Sequence, residues 1–127
     1  MRFLIDTHIL IWYLNGDNIL PKRLIEIIEN ENNKIVVSTV SLWEITIKIS
    51  SGKLDVSKSL NQIEGYLEER DVELLDIKFN SLANLLDLPY HHRDPFDRLL
   101  IAQAITEKLT IISADRHFDS YPVKVVW

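Results

Sequence analysis

The chain has 127 residues, with 14 Lys and Arg against 19 Asp and Glu, a formal net charge of −5 and no cysteine. One domain of this size can bury a core without a disulfide or a metal staple, and the 46% hydrophobic content excludes disorder as the default. The missing cysteines exclude thiol catalysis, zinc fingers and iron–sulfur clusters and fit a reducing compartment, while the acidic balance argues against avid, sequence-blind binding to a polyanion. Charges interrupt every apolar run before the ~20 residues that a membrane span needs. The opening apolar stretch meets Asp6 too early for a signal peptide, so a cytoplasmic protein with no membrane contact is expected.

In chain order, residues 2–5 form a short β-capable run, and residues 7–14 carry bulky apolar side chains at helical spacing that Asn15-Gly16 ends. Pro21 suits a first helical position, Leu24, Ile25, Ile27 and Ile28 give a helix face, and Ile35-Val36-Val37 is a buried-type strand. The next segment is ambiguous. Trp43, Ile45, Ile47 and Ile49 alternate with polar residues as in a strand, yet Ser41 and Glu44 have capping-box spacing and Gly52 supplies a stop. A crossover is also needed after the preceding strand, so a helix is expected.

Residues 60–70 and 80–88 read as helices flanking a β-like run at 72–75, with Pro89 stopping the second. Asp94-Pro95 is a cap followed by a first-turn proline, and residues 96–108 are apolar around much of the circumference, as in a helix buried against a sheet. A strand at 110–113, a helical turn from Asp115 and a last strand at 123–127 complete an alternating pattern without linkers or repeats. The expectation is a single domain over residues 1–127, a three-layer α/β/α sandwich with a mainly parallel central sheet.

In such a sheet ligands bind beyond the carboxyl ends of the strands. Asp6 ends the first strand, Glu44 falls in the first turn after the second, Asp97 opens the buried helix and Asp115 follows the strand at 110–113. Each acid taken alone could serve as a helix cap, and for Asp94, next to Pro95, capping is the expected role. Caps scatter to both ends of a sheet, however, whereas these four share one edge. Clustered carboxylates call for a positive counter-charge, and oxygen-only ligation suits Mg2+ or Mn2+. Thr7 and Ser113 each adjoin an acid and could support the site. His91, His92, Arg93, Arg98, Arg116 and His117 could lend local positive charge to a nucleic-acid backbone, with a solvated surface run as the alternative. Trp12, Tyr13 and Trp43 lie in apolar helical runs and are expected in the core or at a subunit interface.

The segments Asp6-Thr7-His8, Ser41-Leu42-Trp43-Glu44, the run from Asp94-Pro95-Phe96-Asp97-Arg98 to Ala104, and Ser113-Ala114-Asp115 together resemble PIN-domain ribonucleases of the VapC toxin type over essentially the whole chain. The resemblance implies a PIN-like fold and a metal-dependent endoribonuclease. It implies Asp6 and Asp97 as principal ligands of Mg2+ or Mn2+, Asp115 as a ligand directly or through water, and Glu44 as a ligand or the group that orients the attacking water. Asp94 could stand in as the acid from its helix. The resemblance further implies a homodimer, an antitoxin partner, and DNA contact only through that antitoxin.

Rival readings are weaker. A haloacid-dehalogenase-like phosphatase needs Asp where His8 stands, a response-regulator receiver needs a Lys that Ser113-Ala114-Asp115 lacks, and Gly16, Gly52 and Gly65 fit no phosphate-binding loop. The alternative from another class is a non-catalytic PIN-like module that binds RNA or protein.

Overall fold

The computed structural model describes residues 1–127. Five strands, β1 (Arg2–Ile5), β2 (Lys34–Ser38), β3 (Glu73–Leu75), β4 (Thr110–Ile112) and β5 (Val125–Val126), pair in parallel throughout, in the order β3-β2-β1-β4-β5. The six helices are α1 (Thr7–Asn15), α2 (Lys22–Glu29), α3 (Thr39–Ser50), α4 (Leu60–Glu69), α5 (Phe79–Leu86) and α6 (Pro95–Glu107), with a 3₁₀ turn at Arg116–Ser120. The architecture is the expected three-layer α/β/α sandwich, and its sheet is wholly parallel. None of the helices is long and apolar enough to cross a membrane.

The pleat sends alternate side chains of each strand to opposite faces. Phe3, Ile5, Ile35, Val37 and Ile112 pack with Ile9, Leu10, Leu14, Leu24, Ile45 and Ile63, the core shared by α1 to α4. Leu4, Val36 and Ile111 point the other way, against Leu100, Ile101, Ala104 and Phe118. The strands are therefore apolar on both faces, as a sheet covered on both sides must be.

Strand order reverses about β1: β2 and β3 build outward on one side, and β4 and β5 on the other. The crevice beyond the carboxyl ends of β1 and β4 is thus the topological switch point of the sheet, where open α/β folds bind ligands.

The α3 segment is the expected helix, but its start differs. Ser38 caps it by accepting from the Val40 amide at 3.1 Å, so Ser41 lies inside the helix and the Ser41–Glu44 box does not form. Glu44 accordingly sits in the second turn. The alternation at residues 43–49 arises because Ile45 belongs to the core while Trp43, Ile47 and Ile49 are exposed. Trp43, expected in the core or an interface, is 58% exposed and meets the Phe96 ring edge-on at 5.1 Å. Pro21 is the cap residue of α2 rather than its first residue, and α5 stops at Leu86, ahead of Pro89.

A buried polar chain ties the two layers together. Ser38 Oγ donates to Gln103 Oε1 at 2.6 Å, and Gln103 Nε2 donates to the Asp76 carbonyl at 3.2 Å. Both Ser38 and Gln103 are fully buried. Ser38→Ala removes a cap and strands a buried amide, so a loss of about 1 to 3 kcal/mol is expected in urea unfolding. An unchanged midpoint would show that the chain is energetically silent.

Candidate active site

Three of the four acids stand where strands or loops hand over to helices. Asp6 leaves β1 and caps α1, its Oδ1 accepting from the Ile9 amide at 2.8 Å. Asp115 follows β4 and caps the 3₁₀ turn through the His117 amide at 2.9 Å. Asp97 lies in the first turn of α6, whose cap is Asp94: Asp94 Oδ1 accepts from the amides of Phe96 and Asp97. Glu44 reaches in from the second turn of α3 and caps nothing. Capping and clustering are therefore compatible, since Asp6 and Asp115 each commit one oxygen to a helix start and turn the other toward their neighbours.

The acids sense one another. Burial, followed by the negative charges of Asp94, Asp6, Glu44 and Asp115, pushes the Asp97 carboxyl up to about 8. Burial raises Asp6 as well, opposed by hydrogen bonds from the Ser113 hydroxyl and the Ile9 amide. Asp115 goes the other way. Desolvation pushes it up, but hydrogen bonds from the His117 amide, the His117 ring and His92 outweigh this and hold it below the usual carboxylate range. One edge thus holds one carboxyl that ionises easily beside two that resist it.

The neighbours expected to support the site make contacts of different kinds. Ser113 Oγ donates to Asp6 Oδ2 and accepts from the Asp115 amide at 3.0 Å, linking the ends of β1 and β4. Thr7 Oγ1 donates to Ser41 Oγ at 3.0 Å, pinning α1 to α3 one turn ahead of Glu44. Asp94 acts as a cap and as a negative charge on Asp97.

Of the three expected substrate-contacting residues, Arg98 and His92 are engaged within the protein. Arg98 is buried, and its guanidinium donates to the carbonyls of Pro89 and Leu88 at 2.8 and 3.1 Å while stacking on Tyr90. It holds the loop before α6 and is not available to a phosphate. His92 is turned inward: its Nε2 lies 2.9 Å from Asp115 Oδ2 and 3.0 Å from Asp97 Oδ2. Arg116 is exposed beside Asp115 and remains free to meet a ligand. Lys48 was missed by sequence reasoning. Its Nζ lies 2.7 Å from Glu44 Oε2, and the i, i+4 spacing of Glu44 and Lys48 is the signal that could have found it.

Whether a divalent ion suits these residues is answered by Glu44. Its Oε1 is buried and has no hydrogen-bond partner, although burying an unpaired carboxylate oxygen costs several kcal/mol or more. Oxygen donors from Asp6, Glu44, Asp97 and Asp115, in surroundings that make ionisation of Asp97 costly, match a hard cation such as Mg2+ or Mn2+.

Comparison with known proteins is consistent with this geometry. The family model described as PIN domain matches residues 3–124. A comparison with curated proteins gives no match. Among solved structures, VapBC2 from Rickettsia felis, bound to a DNA fragment from its promoter, matches at 20% identity and TM-score 0.74, covering 99% of this chain and 98% of that one. DNA-bound VapBC from Salmonella typhimurium matches at 16% identity and TM-score 0.74, covering 99% and 97%. VapBC-1 from nontypeable Haemophilus influenzae matches at 17% identity and TM-score 0.66, again covering 99% and 97%. At these identities the likeness speaks for the fold.

Proposed function

The chain belongs to the PIN domain family, and from that premise we propose that it is a metal-dependent endoribonuclease hydrolysing RNA phosphodiester bonds, the toxin component of a toxin–antitoxin pair. The observation that carries the reading is the convergence of Asp6, Glu44, Asp97 and Asp115 at the switch point of the sheet, with Glu44 Oε1 buried and unpaired. Asp6, Asp97 and Asp115 would hold Mg2+ or Mn2+. The ion, when bound, supplies the positive charge that a phosphodiester and its leaving oxygen require during hydrolysis.

The chain's own groups do the rest. Glu44 Oε1, buried and without a partner, would bind the ion or accept a hydrogen bond from the attacking water and orient it, while Lys48 holds the other carboxylate oxygen in place. Ser113 fixes Asp6, so that this ligand does not swing away when the site is empty. Arg116, exposed at the rim, meets the RNA backbone.

The matched VapBC structures support a cognate antitoxin as partner, and the sequence resemblance adds a homodimer, cytoplasmic action and DNA contact only through the antitoxin. The outward apolar stripe of Phe79, Leu82 and Leu86 on α5 suits a protein contact, and its exposure supports partnership of this kind.

The test is cleavage of total cellular RNA by purified, antitoxin-free protein with Mg2+, Mn2+ or EDTA, beside Asp6→Ala and Asp97→Asn. Discrete fragments that need metal and vanish in both variants are expected, and sequencing their ends identifies the cleavage site. RNA left equally intact by wild type and variants would return the acids to helix capping and make the chain a binding module.

A further inference from the structure

Resting on the metal-site reading above, we propose that His92 is a positioning residue of that site: its Nε2–H holds the Asp115 carboxylate beside Asp97, and the imidazole does not itself ligate the ion. Three observations carry this. First, the two ring nitrogens face different partners. The Asp94 backbone N–H donates to His92 Nδ1 at 3.2 Å, so Nδ1 must present its lone pair. With Nδ1 accepting, the ring hydrogen sits on Nε2, which donates to Asp115 Oδ2 at 2.9 Å and lies 3.0 Å from Asp97 Oδ2.

Second, that arrangement opposes metal ligation by His92. The side chains of His92, Asp115 and His117 bring two nitrogens and a carboxylate oxygen within 4.8 Å of one another, which by composition alone would suit a softer transition metal. A histidine that ligates a metal normally donates its other N–H to an acceptor. His92 meets a donor there instead, so coordination through Nε2 would require an imidazolate or loss of the Asp94 contact.

Third, the ring is built in from several sides. The His92 amide donates to the Tyr121 hydroxyl at 2.8 Å, and that hydroxyl donates to the Pro89 carbonyl at 2.8 Å. The imidazole packs near His117 and Phe118, with ring centroids 4.8 and 5.9 Å away. Asp94 therefore has a part beyond its cap: its side chain starts α6, while its amide sets the tautomer of the residue that spaces the two acids.

The test compares His92→Phe, which fills the space without a donor, with His92→Gln, which keeps an N–H of similar reach. In metal-free wild type, nitrogen-15 NMR is expected to find Nε2 protonated and Nδ1 bare; the opposite tautomer overturns the proposal. Manganese titration followed by electron paramagnetic resonance is expected to find His92→Phe weaker by roughly 10- to 100-fold, with Gln restoring most of the affinity. Pulsed spectra of the Mn2+-loaded wild type should lack coupling to a directly bound imidazole nitrogen. Equal affinity in His92→Phe, or nitrogen coupling that disappears in that variant, overturns the positioning role alone. Wild type that takes up no Mn2+ overturns the metal-site reading along with it.

Discussion

Asp97→Asn is expected to abolish metal-dependent RNA cleavage and, in the same protein, to raise the melting temperature of the metal-free form at neutral and alkaline pH. The two effects share a cause. In the fold, burial and the surrounding carboxylates push Asp97 up to about 8 from an ordinary value of 3.8. Between those values the folded chain keeps a proton that the unfolded chain has released. Unfolding then releases a proton, so stability falls as pH rises through this window and levels off above about 8. An asparagine cannot ionise and escapes the cost, which at pH 8 to 9 is on the order of 3 kcal/mol once the coupling among the acids is allowed for. That corresponds to a gain of roughly 10 °C for a domain of this size. Near pH 4 the gain should vanish. Cleavage should drop by more than ~100-fold, the upper scale for losing a group that only supports a metal ligand. A variant that melts lower than wild type at every pH from 4 to 9 would mean that the acids do not strain the fold as described.

The cluster of acids behind that cost could be anticipated from the sequence only in part. The α/β order and the positions of Asp6, Asp97 and Asp115 were legible because each sits beside a local signal: an apolar run ending in Asp6, the Asp94-Pro95 start of α6, the strand before Asp115. These signals survive because cap, strand and turn chemistry act over a few residues. The start of α3 was misread for the same reason. Ser41 has the right spacing to Glu44, but Ser38 wins the cap by also satisfying buried Gln103, a residue far away in the chain.

Arg98 and His92 carry the same lesson. Read locally, both are positive charges flanking an acid. In the fold, the loop carbonyls of Leu88 and Pro89 need a donor, which draws the Arg98 guanidinium inward, and the Asp94 amide turns the His92 ring toward Asp115. Backbone groups that need partners have no signature in a side-chain pattern. Trp43 lies outside the core, because α3 is apolar on its outward face as well, which leaves a subunit interface as the surviving half of the expectation.

The second large effect concerns the ion itself. Mn2+ at about 100 times its dissociation constant should stabilise the folded chain by about 2.7 kcal/mol, a rise of roughly 10 °C that EDTA reverses. The size of the shift should depend on pH. A cation bound there would replace the proton held on Asp97, so its apparent affinity should grow as pH climbs toward about 8 and then level off. The metal-free protein loses stability over the same interval, and the curves with and without Mn2+ should therefore diverge between pH 5 and 8. Asp6→Asn, which keeps an oxygen to cap α1 but loses the charge, should remove most of the shift while leaving the fold intact. Glu44→Gln should reduce it too, because the amide presents no charge to the ion and gives up the ion pair with Lys48. Melting followed by circular dichroism at pH 5.5 and 8.5, with and without Mn2+, reads all four quantities. A shift of equal size at both pH values, or one that survives in Asp6→Asn, would place the ion away from these acids and leave Glu44 Oε1 as a plain cost to the fold.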